Sequence, residues 1–286
     1  MDIYDSFIEW WRKNYKAYSA ALLDIDGTLL LGTEPILRAS EFIFLLREND
    51  FPFLLLTNDS IRSPSEKSIL LKRAGIDINT SEITSCGDAI KYVIQREHLT
   101  GKKFLMMVMF GHPNYAEEHG LLITTDISEI EECAGVIVGE LNFDWESFIV
   151  AAINFFIRHP ERFLIVPNPD SFWRSGIGND INIGAGGVGR FITHILKEYG
   201  IEKELIYLGK PHEIIYLHTL NLLRKRNILE PQTNLSRIFV LGDSIKSDIW
   251  GAQKMGFTSG LVFTGVTTEE CLEGHAIKPN YIFRRI

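Results

Sequence analysis

A chain of 286 residues, 45% of them hydrophobic and 23% charged, is long enough to bury a sizeable core and to form two domains. Its net charge of −8, with no Lys/Arg cluster to set against it, argues against broad nucleic-acid binding. Three widely separated cysteines (Cys86, Cys133, Cys271) with no CxxC pair give no disulfide framework and point to reduced thiols in a cytoplasm, and no apolar run approaches the length of a membrane span.

The N-terminal stretch DIYDSFIEWWRKNY carries acids first and lacks the apolar core of a signal peptide. Phe7, Trp10, Trp11 and Tyr15 recur at helical spacing, so this stretch is predicted to be a helix packed on the core. Strand-like SAALLDI follows, then helical SEFIFLLREND, strand-like FPFLLLTN and helical SPSEKSILLKRAG. Further strands read KFLMMVMF, AGVIVG, RFLIVPN, LIYLG, RIFVLGD and SGLVFTG, with helical segments between most of them. Alternating strands and helices predict a parallel α/β sheet. The strand runs are almost continuously apolar, as expected of strands covered on both faces.

The stretch ALLDIDGTLLLG, residues 21–32, sets Asp24 and Asp26 in an otherwise apolar run. A buried carboxylate without a partner is costly. Gly27 and Thr28 follow at once, so the strand is expected to end near Asp24, with both acids at the sheet's rim. In open α/β sheets ligands bind just beyond the carboxyl ends of the strands. An Asp-Gly turn with incidental acids is the simpler alternative. A calcium loop does not fit, since its glycine falls at position 6 and here it falls at 4.

The other strand ends carry polar groups too. FLLLTN ends in Thr57 and Asn58, LIYLGKP in Gly209 and Lys210, and RIFVLGDSIKSDI in Asp243, with Asp248 five residues on. Gathered along one edge, these make four carboxylates, a hydroxyl and an ammonium. So many carboxylates repel one another unless a cation is present, and hard oxygen ligands suit Mg²⁺. A lysine and a threonine suit phosphate oxygens.

DIDGTL, a strand ending in Thr, then GKP, then GDxxxxD resemble, in that order, the haloacid dehalogenase (HAD) superfamily of phosphohydrolases. LLLGTEPI, LLLTNDS, VPNPDS, GAGGVG, GKPHEIIY and GDSIKSDIWGAQKMG resemble in particular its class IIA, NagD/p-nitrophenylphosphatase-like branch. The resemblance runs from about residue 20 to about 265. It implies a Rossmann-like parallel-sheet core, residues 1–83 and 206–286, with an inserted α/β (C2-type) cap domain at 84–205. It also implies a Mg²⁺-dependent phosphomonoesterase. Asp24 is then the nucleophile that forms an aspartyl-phosphate, and Asp26 the general acid/base. Asp24, Asp243 and the main-chain carbonyl of Asp26 hold Mg²⁺, with Asp248 supporting. Thr57, Asn58 and Lys210 bind the phosphoryl group. In this branch the cap contacts the leaving group, and Asn168, Asp170, Trp173 and Arg174 are its candidates here. Core packing is an equal alternative for Phe172 and Trp173. The expected partner is a small phosphorylated metabolite, with no nucleic acid or membrane; a homodimer is left open.

GAGGVG, residues 184–189, satisfies the letters of a dinucleotide fingerprint. The following strand lacks the ribose-binding acid, so the glycines are expected to form a close-packed loop capping a helix. A nicotinamide-dependent oxidoreductase is therefore the weaker alternative. A HAD-fold binding protein without turnover is another, opposed by the presence of Asp26. Asp59, where the branch often has a neutral residue, either favours substrates bearing a hydroxyl or amine or caps the helix beginning near Ser63. His112 and His212 lack metal-ligand spacing and are expected in loops or at a helix start.

Overall fold

The computed structural model describes residues 2–107, 110–140, 144–174, 180–272 and 274–286, the side chain of Arg174 excepted. The chain divides into two compact units. One comprises Met1–Thr57, Pro64–Thr84 and Lys210–Ile286; the other comprises Asn58–Ser63 and Ser85–Gly209.

The first unit is built on a seven-stranded sheet in the order Ile3–Ser6, Tyr281–Arg285, Thr258–Val262, Ile238–Gly242, Ala20–Asp24, Phe53–Thr57, Ile83–Ser85. From the Ile3–Ser6 edge across to Phe53–Thr57 every pairing is parallel. The central strands Ala20–Asp24, Phe53–Thr57 and Ile238–Gly242 are buried at every residue, which accounts for their unbroken apolar runs. The helix Phe7–Asn14 lays Phe7, Trp10 and Trp11 on the core, as their spacing predicts. Phe7 meets Phe42 at 4.9 Å and Phe283 at 5.0 Å between ring centroids, in edge-on contacts.

The predicted N-terminal helix is shorter than its pattern. Ile3–Ser6 is a strand that pairs with Tyr281–Arg285, so the start of the chain lies beside its end. Ser6 then caps the helix, its Oγ accepting from the Glu9 N–H. Ile3 and Phe7 are four apart and fit a helical period equally well; only the distant pairing strand separates the two readings.

The second unit holds a parallel five-stranded sheet in the order Ile206–Tyr207, Phe163–Val166, Gly135–Ile137, Lys103–Met106, Leu122–Thr124. The helices Trp145–Arg158 and Ala185–Glu198 pack on it through Phe155, Phe156, Val188, Ile192 and Leu196. The LIYLG strand, expected among the sheet ends that carry the catalytic groups, pairs here with Ile165 and Val166. Lys210 therefore follows a strand of this second sheet. Of the strand predicted over 103–110, residues 103–106 are extended, and Val108 and Met109 lie outside the described residues.

GAGGVG opens the helix Ala185–Glu198, with Gly184 as its N-cap. The strand before it, Ile181–Ile183, pairs antiparallel with Phe172–Arg174 in a two-stranded hairpin. It is not the first strand of a parallel dinucleotide-binding unit, and the nicotinamide reading has no structural footing. A Cβ at Gly186 would stand 2.0 Å from the Pro169 carbonyl oxygen, so the glycines let the 169–171 segment lie against the first turn of the helix.

A buried acid lies at that same turn. Glu140 is 5% exposed, and its Oε2 accepts from the Ala185 N–H at 2.9 Å and from Asn168 Nδ2 at 3.3 Å. Burial pushes its carboxyl from 4.5 up to about 7, against those two hydrogen bonds. The folded chain thus holds this proton more tightly than the unfolded chain. The stability it contributes is full at acid pH and is lost as pH rises from 4.5 to about 7. At about 1.4 kcal/mol per pH unit, the loss is about 3 kcal/mol. Glu140→Gln carries no such dependence. Its stability relative to the parent should rise by about 2 kcal/mol between pH 5 and pH 8, read from denaturant unfolding at the two values. An unchanged difference would show that Glu140 ionises normally.

Candidate active site

The order of the first unit's sheet puts three polar strand ends side by side. Asp24 ends Ala20–Asp24, Thr57 ends Phe53–Thr57, and Asp243 follows Ile238–Gly242. Parallel register aligns Leu23 with Leu241 and Asp24 with Leu56, so the chain leaves all three strands at one level. Asp24, Asp243 and Asp248 gather there, all buried, with one carboxylate oxygen from each lying within 4.8 Å of the others.

Lys210 binds this group together. Its Nζ donates to Asp24 Oδ1 at 2.5 Å, Asp248 Oδ1 at 2.7 Å and the Leu56 carbonyl at 3.1 Å. Three acceptors match the three protons of an ammonium. The lysine is 2% exposed, so these charges meet away from water. Asp248 reaches the lysine from a wide turn over Ile245–Ile249, where the Ile249 N–H bonds back five residues to the Ser244 carbonyl. Its Oδ2 accepts from the Ser244 N–H at 3.1 Å. Asp24 Oδ2 accepts from the Thr28 hydroxyl at 3.2 Å.

The electrostatics show an excess of negative charge. Burial drives the Asp24 carboxyl well above its ordinary value; Lys210 opposes this, while Asp248, Asp243 and Asp26 reinforce it. Burial also raises Asp243 to about 7, reinforced by Asp248 and opposed by the Val266 N–H, which donates to Oδ2 at 2.5 Å. Burial alone would lower Lys210, but Asp24 and Asp248 outweigh it and hold the lysine well above its ordinary value. Three buried carboxylates stand beside one ammonium, which bonds two of them, and hard oxygen donors with this excess of negative charge suit a divalent cation. The residues fit Mg²⁺.

Asp26 stands apart. Its side chain is 52% exposed and turns to a second lysine: Lys67 Nζ lies 2.8 Å from Oδ2 and 3.1 Å from Oδ1. The Thr57 hydroxyl lies 3.5 Å from Oδ2. The metal role expected of Asp26 concerned its main-chain carbonyl and is untouched by this. Lys67 was not anticipated. It stands in the predicted helix among SEKSILLK, where a lysine reads as solvent-facing. Ser68 and Leu71 share its inward face, while Ile69 is 53% exposed. The spacing of Lys67 and Leu71, four apart, is the only trace of this in the sequence.

In the second unit, Asn58 Nδ2 donates to Asp170 at 3.2 Å, and Asn168 Oδ1 accepts from the Asp170 N–H at 2.9 Å. Asn58, Asn168 and Asp170 thus form one polar cluster, with Asn168 linked onward to Glu140. Trp173 lies on the hairpin, and its buried Nε1 has no hydrogen-bond partner among the described residues. Phe172 is 58% exposed, which sets it apart from core packing. The Arg174 side chain lies outside the described residues. Asp59 lies in the turn ahead of the helix Pro64–Arg73. Its Oδ1 accepts from the Ile61 and Arg62 N–H groups at 3.0 and 3.1 Å, closing a turn, and its Oδ2 pairs with Arg62. His212 is the N-cap of the helix Glu213–Lys225, and His112 lies in a turn, as expected.

A Cβ at Gly265 would stand 1.9 Å from Asp243 Oδ2 and 2.7 Å from the Gly27 Cα. Gly265→Ala should therefore destabilise the protein by about 1–3 kcal/mol. Because the nearest clash is with the Asp243 side chain, the cost should be smaller when Gly265→Ala is made in an Asp243→Ala background. Thermal unfolding of the four proteins in this cycle measures both effects, and equal costs in the two backgrounds would show that the Asp243 carboxylate is not what the added methyl meets.

Comparison with known proteins agrees with this geometry. A family model described as haloacid dehalogenase-like hydrolase matches residues 21–122, and a second, described as HAD-hydrolase-like, matches residues 207–286. An acid sugar phosphatase of Staphylococcus epidermidis is 29% identical over 271 residues, covering 94% of this chain and 95% of that protein. A p-nitrophenyl phosphatase from Archaeoglobus fulgidus superposes with a TM-score of 0.77 at 26% identity, over 94% of this chain and 96% of that one. NagD from Escherichia coli shares the fold, with a TM-score of 0.76 at 22% identity over 94% of this chain and 96% of its own. With one model matched to residues 21–122 and the other to 207–286, the chain belongs to the haloacid dehalogenase-like hydrolases, and it shares its fold with NagD and the p-nitrophenyl phosphatases.

Proposed function

We propose that the protein is a Mg²⁺-dependent phosphomonoesterase that hydrolyses a small phosphorylated metabolite through an aspartyl-phosphate on Asp24. The observation that carries this reading is the buried Lys210 ammonium shared by Asp24 and Asp248 with Asp243 alongside. It sets a carboxylate nucleophile, a phosphate-binding cation and metal-ligating oxygens within one cluster. The phosphatases among its relatives support it, and the acid sugar and p-nitrophenyl phosphatases in particular favour small monoesters.

In this mechanism an Asp24 oxygen attacks phosphorus as the bond to the leaving oxygen breaks. Asp26 gives that oxygen its proton, then takes a proton from the water that attacks the phosphoenzyme and releases phosphate. Lys210 and Thr57, with the adjoining Asn58, hold the phosphoryl oxygens. Asp24, Asp243 and the Asp26 carbonyl would hold Mg²⁺, with Asp248 in support. When bound there, the ion neutralises the oxygens that an anionic nucleophile must approach. Leaving-group selection is assigned to the second unit, through the segment bearing Asn168, Asp170, Trp173 and Arg174. The division into core, 1–83 with 206–286, and cap, 84–205, is likewise proposed, save that the strand Ile206–Tyr207 goes with the cap's sheet.

The described residues contain no helix long and apolar enough to cross a membrane. A cytoplasmic location is in keeping with the free thiols of Cys86, Cys133 and Cys271. A homodimer is a separate proposal, checked by light scattering on the purified protein.

Turnover of p-nitrophenyl phosphate should vanish in EDTA and return on titration with Mg²⁺. Asp24→Asn, isosteric but a far poorer nucleophile, should lose activity by on the order of 10⁴-fold or more, with its unfolding transition still cooperative. Turnover that persists in EDTA, or an Asp24→Asn variant near the parent rate, overturns the reading.

A further inference from the structure

We propose that Lys67 is a positioning residue for phosphoryl transfer, fixing the Asp26 carboxyl group where the leaving oxygen is protonated. The inference rests on the phosphomonoesterase reading and adds to it a residue from outside the strand ends.

The Lys67–Asp26 pair is unlike a surface salt bridge. Asp26 is 52% exposed, but the lysine side chain is 3% exposed. Its stem passes through packed structure and only its ammonium reaches the carboxylate, contacting both oxygens at 2.8 and 3.1 Å. An ammonium removed from water to this degree is held by its environment and has little freedom to follow a mobile partner. The partner is therefore held by the lysine, and not the reverse. The helix that carries Lys67 is anchored in turn. Leu71, on the same inward face, is fully buried, and the Ser68 hydroxyl donates to the Ile78 carbonyl at 2.6 Å. Asp26 otherwise sits on a turn beyond the end of its strand, with the Thr57 hydroxyl at 3.5 Å as a weak second contact. A carboxyl group that must meet a particular oxygen loses efficiency when its rotamer wanders.

Protons balance with Lys67 unchanged throughout. The Asp26 O–H bond breaks as the leaving oxygen gains that proton and its bond to phosphorus breaks. The Asp26 carboxylate later regains a proton from the attacking water as the bond from Asp24 to phosphorus breaks. Lys67 keeps its three protons and its contact with the carboxyl oxygens.

Two aryl monoesters that differ only in a para nitro group separate this role from others. p-Nitrophenolate departs readily without a proton, whereas phenolate, from phenyl phosphate, depends on one. Lys67→Met should lower kcat/KM for phenyl phosphate on the order of tenfold more than for p-nitrophenyl phosphate. Lys67→Arg should restore much of the difference, and in an Asp26→Asn background Lys67→Met should add little. Equal losses on both esters, or full additivity with Asp26→Asn, would overturn the proposal and leave Lys67 a structural or phosphate-binding cation. Should Lys67→Met fail to unfold cooperatively, Lys67→Gln decides by the same ratio: a loss on phenyl phosphate several-fold larger than on p-nitrophenyl phosphate supports the proposal, and equal losses on the two esters overturn it. If the parent protein hydrolyses neither ester with Mg²⁺, the phosphomonoesterase reading fails instead.

Discussion

The site depends on one ammonium buried among carboxylates. Lys210 reaches three acceptors and is almost wholly removed from water, which is tolerable only because Asp24 and Asp248 stand against it. The converse also holds, since neither acid could be buried at these positions without the lysine. The wide turn over Ile245–Ile249 brings Asp248 back to the cluster, and the lack of a side chain at Gly265 leaves room for Asp243 beside it. The remaining imbalance, three carboxylates to one ammonium, is what suits the cluster to a divalent cation and a phosphoryl group.

Two lysines set two acids that lie two residues apart in different surroundings. Asp24 ends its strand and is buried against Lys210; Asp26 has left the strand, is half exposed and meets Lys67. Carboxyl groups in such different surroundings are free to take different parts, one as nucleophile and one in proton transfer. Each lysine comes from a different element: Lys210 from the segment leaving the second unit's sheet, Lys67 from the helix Pro64–Arg73. The strand ends between the two acids, and the two lysines hold them in different surroundings.

In the second unit the sequence's glycine-rich segment serves packing. Its residues admit the Pro169–Ser171 main chain against the first helical turn, and the same turn supplies an N–H to buried Glu140. The polar residues expected to meet a leaving group are partly engaged with one another there, through Asn58, Asp170, Asn168 and Glu140. That shared network makes the segment a preformed surface, with its side chains already oriented.

Much of this was legible in the amino-acid order because the relevant signals are local. Long apolar runs followed at once by Asp, Thr or Asp-Gly mark buried strands and the point where each ends, and parallel α/β topology sends those ends to one edge. Asp24, Thr57 and Asp243 follow from that alone, as does the helical face of Phe7, Trp10 and Trp11. What depends on distant partners was not legible. Ile3–Ser6 is a strand only because Tyr281–Arg285 lies beside it, and Ile206–Tyr207 joins the second sheet only because Ile165 and Val166 accept it. Lys67 is the sharpest case. Residue type marks it as exposed, whereas burial is a property of the surroundings of its helix, and its partner lies 41 residues away. Sequence determines which groups can stand at the strand ends; only the tertiary packing decides which charges meet out of water, because that depends on what else fills the space between them.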